Sequence, residues 1–309
     1  MIPPASRDSL EPSGLSDQSI PNEKTRADWE KMSDGWRRWH DKFSRQSAGA
    51  TDRIIELAEA REGMKVLDLA CGSGEPSLSL ARAVGPTGRV VATDVVPGMI
   101  RVAEGNARSE HLSNIEFRVA DAEAIPFPDG YFDAVTCRFG VMFFSDPVRA
   151  MREARRVLKD MGLVVLVTWG PRKDNPRFTT TMSILEKYLH QSPADVDPRA
   201  RTRDSNLFKF ADRGSLSGVL KEADFTGISE RYFEVPWIWD GPAEEQFRSF
   251  SEMSAPFRRM WSAMNGDSQR RATDEILSAI GKYYDGRRVN FTAVINTAVG
   301  TKRDTPTRQ

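Results

Sequence analysis

Short apolar runs alternate with helical stretches between residues 65 and 169, and this alternation restricts the chain to few folds. The predicted strands lie at residues 65–70, 89–94, 115–119, 131–137 and 163–169. Helical stretches of about ten residues follow the first, second and fourth strands. Strands that alternate with helices form a parallel sheet with helices on both faces. The sequence therefore predicts an α/β fold with a doubly wound, mostly parallel sheet.

The alternation of strands and helices becomes irregular after residue 169, but two more strands can be recognised. Apolar runs at 228–235 and 289–299 bring the predicted sheet to seven strands. Helical stretches at about 171–206 and 242–285 interrupt the alternation. Because they fall between strands, we expect these two stretches to be helical cap insertions.

The N-terminal segment differs in composition from the rest of the chain. Residues 1–24 hold four prolines and five serines with almost no large apolar side chains, so we expect a disordered arm. Residues 25–48 carry one apolar stripe at helical spacing, which predicts an aromatic lid helix. Its members are Trp29, Met32, Trp36, Trp39 and Phe43. The main domain is then expected to span 49–309.

The balance of charge and the cysteine content limit the partners and the compartment. Forty-four basic residues balance forty-four acidic residues, so no overall field draws the chain onto nucleic acid. Cys71 and Cys137 fit a reduced interior better than a disulfide framework. No run approaches the length of a membrane span, and the N-terminus lacks the apolar core of a signal peptide. We therefore expect a cytoplasmic protein with no membrane span and no nucleic-acid partner.

One acidic residue stands inside the first predicted strand. Asp68 interrupts the run VLDLACGSGEPS directly before a turn that contains Gly72 and Gly74. Glycines allow a tight bend and a close approach of the backbone to a ligand. A dinucleotide would place pyrophosphate at this turn, and a nearby carboxylate would repel it. Ser77 also replaces the third glycine of a G-x-G-x-x-G pattern, so the turn favours a cationic or zwitterionic ligand.

Two more carboxylates follow at the ends of the next predicted strands. Asp94 stands twenty residues after Gly74, where a carboxylate can accept hydrogen bonds from both hydroxyls of a ribose. Asp121 and Ala122 follow the third strand, where a side chain can accept from an adenine amino group and a backbone N–H can donate to the ring. These residues outline a crevice for a ligand with amines, hydroxyls and an adenine. S-Adenosylmethionine fits that description.

Four segments carry a resemblance to a known family. They are VLDLACGSGEPSL, VVATDVVPGMI, FRVADAEAIPFPDGYFDAV and VLKDMGLVVLVTW. In order and spacing they resemble the motifs of class I S-adenosylmethionine-dependent methyltransferases, and they look closest to the branch with the ubiquinone and menaquinone C-methyltransferases. The similarity is strong over about residues 50–170 and loose elsewhere. It implies a Rossmann-like methyltransferase fold and an enzyme that methylates an O, N or C atom of a small molecule, leaving S-adenosylhomocysteine.

The same resemblance implies a set of cofactor-binding residues. It implies that Asp68, Gly72 and Gly74 surround the methionine moiety and that Asp94 holds the ribose. Val95, Met99, Asp121 and Ala122 would contact the adenine, and Arg138 and Phe139 would lie beside the sulfonium. No metal site is predicted. The run 159–162 departs from the Pro-Gly turn that the family often has, and we expect it in a loop far from the ligand.

The acceptor side is less well defined by the sequence. Methyl transfer mainly requires alignment of the acceptor, so no dedicated catalytic residue is obligatory. A general base helps when the acceptor is a hydroxyl or a protonated amine. His40, next to the tryptophan-rich stripe, is the candidate for that role, and a surface position on an amphipathic helix is the alternative.

Large aromatic side chains outside the predicted strands indicate the kind of acceptor. Trp36, Trp39 and Phe43 precede the sheet, Trp237 and Trp239 follow the predicted sixth strand, and 247–264 is rich in Phe and Met. Such residues can simply dock helices onto the core. Together they predict an apolar cap over the crevice, and hence a mid-sized, partly apolar or aromatic methyl acceptor.

Three other functions stay open at this point. A nucleic-acid methyltransferase shares the fold, but the sequence after the fourth strand reads CRFG instead of an Asn/Asp-Pro-Pro-aromatic turn. Cys137 as the nucleophile of a pyrimidine C5 methyltransferase lacks a preceding proline, and a buried small hydrophobe is the simpler interpretation. A non-catalytic protein could hold S-adenosylmethionine as a structural ligand. A nicotinamide-dependent oxidoreductase would have to tolerate Asp68 near pyrophosphate.

Overall fold

A seven-stranded sheet forms the centre of the computed structural model, which describes residues 23–190 and 207–303. The strands are β1 (Lys65–Leu69), β2 (Arg89–Asp94), β3 (Ile115–Val119), β4 (Phe132–Arg138), β5 (Leu158–Trp169), β6 (Thr226–Trp239) and β7 (Val289–Thr301). Their order is β3-β2-β1-β4-β5-β7-β6. Strands β1 to β5 pair in parallel, and β7 lies antiparallel between β5 and β6. The predicted α/β fold with a mostly parallel seven-stranded sheet is confirmed.

Helices flank the sheet and occur in the described parts of both insertions. They are α1 (Glu23–Glu30), α2 (Ser33–Gln46), α3 (Ala48–Leu57), α4 (Ser77–Val84), α5 (Pro97–Ser109), α6 (Pro147–Val157), α7 (Pro176–Thr179), α8 (Met182–His190), α9 (Ser215–Glu222), α10 (Ala243–Met253), α11 (Ala255–Ser262) and α12 (Gly266–Gly281). Side-chain caps fix two of the boundaries in the second insertion. Ser254 accepts from the Phe257 N–H at 3.3 Å, and Asn265 accepts from the Ser268 N–H at 2.8 Å. Among the described residues, no helix is both long and apolar enough to cross a membrane.

The N-terminal segment forms two helices where the sequence predicted one. The chain breaks after α1, and the Ser33 hydroxyl donates to the Glu30 carbonyl at 2.8 Å. Such a local side-chain bond competes with helical backbone pairing, which explains the interruption. Helix α1 begins at Glu23, inside the expected arm 1–24, and residues 1–22 lie outside the described residues.

Strand β6 is longer than predicted and includes the two tryptophans assigned to the cap. The predicted strand ended at residue 235, yet Pro236 pairs opposite Thr292, and Trp237 and Trp239 continue the strand fully buried. Because β6 is an edge strand, a proline can be tolerated where its missing N–H would face away from the ladder. Placing Trp237 and Trp239 after the strand was therefore wrong. The 159–162 run is likewise part of β5 and not a loop.

Candidate functional site

A cavity of about 230 Å³ lies at the carboxyl ends of the parallel strands. One residue at the end of each strand from β1 to β5 lines it: Cys71, Asp94, Asp121, Phe139 and Trp169. Ligands of open α/β sheets bind at this edge, where strand order reverses around the first strand. Strands β2 and β3 lie on one side of β1, and β4 and β5 lie on the other. The cavity therefore has a nucleoside half, after β1 to β3, and an aromatic half, after β4 and β5.

Asp94 organises the nucleoside half. Its Oδ2 accepts from the Gly72 N–H and its Oδ1 accepts from the Val96 N–H, both at 2.9 Å. The carboxylate thereby joins the glycine turn to the loop after β2, and each oxygen keeps lone-pair capacity for a further donor. Burial raises the pKa of Asp94 to about 6, although these two N–H groups favour the ionised form. Two adjacent hydroxyls of a ribose fit this acceptor pair.

The glycine turn leaves open space beside its backbone. Gly72 has a φ of +55°, and a Cβ added there would meet no protein atom within 4 Å. Since Gly72 lines the cavity, a larger side chain would have to compete with a ligand for this space. Ala70 and Phe139 also line the cavity with φ values of +54° and +57°, although neither is glycine. Such conformations concentrate at functional sites, where the surrounding structure maintains them.

Most predicted cofactor residues lie on the cavity surface. Those that line it are Gly72, Asp94, Val95, Met99, Asp121, Ala122, Arg138 and Phe139. Asp121 and Glu123 are linked, because the Glu123 N–H donates to Asp121 Oδ1 at 2.9 Å. Acidic side chains in the nucleoside half match an ammonium and a sulfonium, and hydroxyls match Asp94. The residues present therefore fit S-adenosylmethionine.

Asp68 and Gly74 do not line the cavity, and their expected place around the methionine moiety stays a prediction. Asp68 is fully buried and accepts from the Ser77 hydroxyl at 2.5 Å and the Thr136 hydroxyl at 2.8 Å. Burial raises its pKa to about 7, so at neutral pH it does not act as a full negative charge toward a ligand. A Cβ at Gly74 would lie 3.2 Å from Leu78, so this glycine allows the turn to pack on α4.

Arg138 lines the cavity but binds protein oxygens. Its Nη1 donates to Ser47 Oγ at 2.9 Å and Thr51 Oγ1 at 2.8 Å, and its Nη2 donates to the Glu75 carbonyl at 3.0 Å. The guanidinium thus holds the glycine turn against α3. Phe139, which follows Arg138, lies in the aromatic half, where its ring stacks on Trp169 with centroids 4.3 Å apart.

His40 is buried behind the glycine turn and does not line the cavity. Its Nδ1 lies 3.0 Å from Ser73 Oγ, and Ser73 lies between it and the cavity. Burial lowers the pKa of His40 to about 4, so the ring is neutral at physiological pH. The geometry supports a role in holding Ser73, and it offers His40 no contact with an acceptor in the general-base role that the sequence suggested.

The aromatic half combines residues from both ends of the chain. Trp36 and Phe43 from α2 line it with Phe178 from α7 and Phe250 from α10. Trp39, in contrast, does not line the cavity; its Nε1 donates to Glu252 at 2.8 Å and its ring packs on Trp239. The predicted aromatic cap therefore exists in part, with α2 and α10 as walls and with Trp39, Trp237 and Trp239 behind them.

The sequence analysis did not assign several of the lining residues to the cofactor site. Arg26 and Trp29 belong to α1, which was not recognised as a separate helix. Glu75 and Glu123 lie close to recognised motifs, and their spacing from Gly74 and Asp121 could have indicated them. Arg177 lies in an insertion whose sequence shows no motif.

Helix α1 forms a wall of the cavity, and Glu30 fastens it. Glu30 accepts from the Gly98 N–H at 2.9 Å, at the start of α5, and from Arg101 at 2.7 Å. We expect Glu30→Ala to raise the dissociation rate of S-adenosylhomocysteine about three- to tenfold, because a charge-assisted bond that closes this wall is lost. Displacement kinetics followed by tryptophan fluorescence measure this rate. Asp34→Ala, which breaks only the exposed pair with Arg37, is the control, and equal rates in both variants would contradict the role of Glu30.

The sheet, the glycine turn and the acidic nucleoside half define an S-adenosylmethionine-dependent methyltransferase that acts on a small molecule. The model of the ubiE/COQ5 methyltransferase family matches residues 42–190. The "Ubiquinone/menaquinone biosynthesis C-methyltransferase UbiE" of Shewanella frigidimarina is 39% identical over 56% of this chain and 71% of that protein. The "Demethylmenaquinone methyltransferase" of Staphylococcus aureus is 31% identical over 59% of this chain and 76% of that protein. The chain belongs to the ubiE/COQ5 methyltransferase family.

Solved structures show the same fold at low sequence identity. A putative methyltransferase from Bacillus halodurans gives a TM-score of 0.53 at 23% identity and covers 82% of this chain and 99% of that chain. The YcgJ protein from Bacillus subtilis gives a TM-score of 0.52 at 22% identity, with 83% and 99% covered. These likenesses concern the fold alone.

Proposed function

We propose that this methyltransferase places the methyl group on a ring carbon of a hydroquinone-like aromatic acceptor. The observation that carries the proposal is the make-up of the aromatic half. Aromatic side chains line it, and no histidine, lysine or tyrosine occurs among the described residues that line the cavity. The lining carboxylates Glu75, Asp94, Asp121 and Glu123 all follow β1 to β3, in the nucleoside half. The site therefore favours an acceptor that is nucleophilic without a neighbouring protein base.

The chemistry of a hydroquinone suits such a site. S-Adenosylmethionine would supply the methyl group from its positively charged sulfur. An electron pair of a ring carbon would form the new C–C bond as the C–S bond breaks and S-adenosylhomocysteine leaves, and the ring carbon would then lose its proton to solvent. Hydroxyl groups enrich the neighbouring ring carbons in electrons, so the reduced ring is a carbon nucleophile. Trp169 and Phe139 offer aromatic surface on which a flat ring can stack, which aligns one carbon with the nucleoside half.

The names of the relatives support this acceptor class. The residues after the family match indicate that the substituents on the acceptor ring differ. Two of the relatives are named for ubiquinone, menaquinone or demethylmenaquinone. The family match ends at residue 190, whereas Phe250 and Met253 of α10 also line the cavity. We infer that the reacting ring is shared with the relatives and that the ring substituents contacted by α10 differ.

Two further expectations complete the proposal. The balanced charge of the chain supports a small acceptor over a nucleic acid. Cys71 and Cys137 are free, buried thiols, which supports a reducing, cytoplasmic location.

An assay with a redox-paired acceptor tests the proposal. A naphthohydroquinone with one free carbon beside a hydroxyl is incubated with the protein and S-adenosylmethionine, in its reduced form and in its oxidised form. We expect methylation of the reduced form only, and NMR of the product should show a carbon-bound methyl group. The same ring with that carbon already methylated is the control. An oxygen-bound methyl group, or equal turnover of the control ring, would contradict carbon methylation.

A further inference from the structure

Arg177 is a buried cation on the wall of the aromatic half. It belongs to α7, is 7% exposed and lines the cavity. Three rings surround its guanidinium, with centroids at 5.4 Å for Phe43, 5.8 Å for Trp237 and 4.8 Å for Phe250. Aromatic faces stabilise a cation in part, but they do not satisfy its N–H groups.

The guanidinium of Arg177 lacks an anionic partner within residues 23–190 and 207–303. Its Nη1 donates to Gln46 Oε1 at 3.1 Å, and in the part of the chain that the structure describes neither its Nε nor Gln46 Nε2 has a hydrogen-bond partner. Burial alone lowers the pKa of Arg177 to about 9. A buried charge in this state is expensive, because desolvation is not offset by a counter-ion.

Arg138 provides a comparison within the same cavity. It is 8% exposed, yet three oxygens accept from it within 3.0 Å, and Glu75 and Asp68 oppose the effect of burial on its pKa. Protein oxygens therefore bind both terminal nitrogens of Arg138, although its Nε, like that of Arg177, has no hydrogen-bond partner among the described residues. For Arg177, one amide oxygen at 3.1 Å accepts from a single terminal nitrogen.

We propose that Arg177, held by Gln46, binds an anionic oxygen carried by the ring of the methyl acceptor. The inference rests on the proposed function, since it concerns the acceptor of that reaction. An ionised ring hydroxyl and a ring carboxylate share the required chemistry, because both present an oxygen anion to the free N–H groups. With such an acceptor bound, the buried guanidinium gains its missing partner.

This assignment also explains how the aromatic half works without a protein base. The guanidinium favours binding of the ring in its phenolate form, whose hydroxyl proton has already passed to solvent. The phenolate then holds more electron density on the neighbouring carbon that receives the methyl group. A ring carboxylate would instead fix the orientation of the ring. In both cases Arg177 is a positioning and specificity residue.

A ligand series on the full-length protein saturated with S-adenosylhomocysteine tests the proposal. Calorimetry at pH 7.5, where Arg177 is protonated, compares 1-nitro-2-naphthol, which is ionised at that pH, with 2-naphthoate and the neutral 2-methoxynaphthalene. We expect at least one anion to bind about tenfold or more tightly than the neutral ether, as expected for one charge-assisted bond. Preference for naphtholate identifies a ring hydroxyl as the source of the anion, and preference for naphthoate identifies a carboxylate. Equal binding of the ether and both anions would overturn the proposal.

Variants separate this role from a structural one. Arg177→Met keeps the length of the side chain, and we expect it to abolish the preference for anions while the melting temperature stays equal or rises. Arg177→Lys should retain part of the preference, and Arg45→Met, at an exposed position beside Gln46, should retain all of it. A preference that survives in a folded Arg177→Met protein would overturn the assignment. If Arg177→Met does not fold, the wild-type ligand series still decides.

The two proposals fail in different ways. Carbon methylation of a hydroquinone with no preference for anions would refute the role of Arg177 alone. A clear preference for anions that depends on Arg177, together with no methylation of any hydroquinone, would refute the proposed acceptor and keep the anion site.

Discussion

Replacing Asp94 by alanine should weaken the binding of S-adenosylhomocysteine on the order of a hundredfold. The carboxylate is expected to accept from both ribose hydroxyls, and hydrogen bonds to a charged group contribute about 1.5 to 3 kcal/mol. Asp94 also holds the Gly72 and Val96 N–H groups at 2.9 Å, so its loss loosens the turn that carries the ligand. Titration calorimetry at pH 7.5 measures the affinity.

Asp94→Asn is the matched variant for this experiment. The amide keeps the size of the side chain and one oxygen acceptor, but its NH₂ group faces an N–H donor of the protein. We expect a loss of affinity between that of wild type and that of Asp94→Ala. Unchanged affinity in the alanine variant would show that the ribose is held elsewhere.

The pH dependence of ligand binding should report the ionisation of Asp94. The pKa of the free carboxyl is raised to about 6, and hydroxyl donors bind the ionised form. Affinity is therefore complete well above pH 6 and falls as the pH drops through 6, by up to tenfold per pH unit. Asp94→Asn, which does not ionise, should show a flat profile between pH 5 and 8. A wild-type profile parallel to that of the variant would exclude Asp94 as the titrating group.

The ends of the strands could be predicted because local patterns determine them. Val-rich runs form buried parallel strands, and the carboxyl end of each strand must meet the others at one edge of the sheet. Asp94, Asp121 and Phe139 follow directly from that geometry, and all three line the cavity. Here position along the sequence is sufficient to give position in space.

Contacts across long sequence separations could not be predicted in this way. Arg177 contacts Gln46 across 131 residues, and its ring neighbours come from α2, β6 and α10. No local pattern distinguishes such an arginine from a solvated one. Asp68 shows a second limit: its place beside the glycine turn was visible, but its orientation toward Ser77 and Thr136 depended on how β1, β4 and α4 pack.

Asp68 should make the unliganded protein less stable as the pH rises from about 4 to 7. Its pKa is raised from 3.8 to about 7, so the folded protein binds the proton more tightly than the unfolded chain does. The stabilising contribution is complete below the unfolded pKa and is lost as the pH rises through the folded pKa. For a fully buried group, this shift corresponds to a change on the order of 4 kcal/mol in the free energy of unfolding.

Asp68→Asn tests this expectation because asparagine has nearly the same shape and does not ionise. Its amide can accept from one hydroxyl and donate to the other, so the bonds to Ser77 and Thr136 can be kept. Urea unfolding at pH 5, 6, 7 and 8 should show that the free energy of unfolding of the variant increases relative to that of wild type as the pH rises. The reason is that the variant lacks the cost of ionising a buried carboxyl. Asp285→Asn is the control with a pKa shift of opposite sign, because backbone N–H groups hold the pKa of Asp285 at about 2. The difference in stability between this variant and wild type should therefore change with pH only in acid. Parallel stability profiles for wild type and Asp68→Asn would mean that Asp68 stays ionised behind the turn.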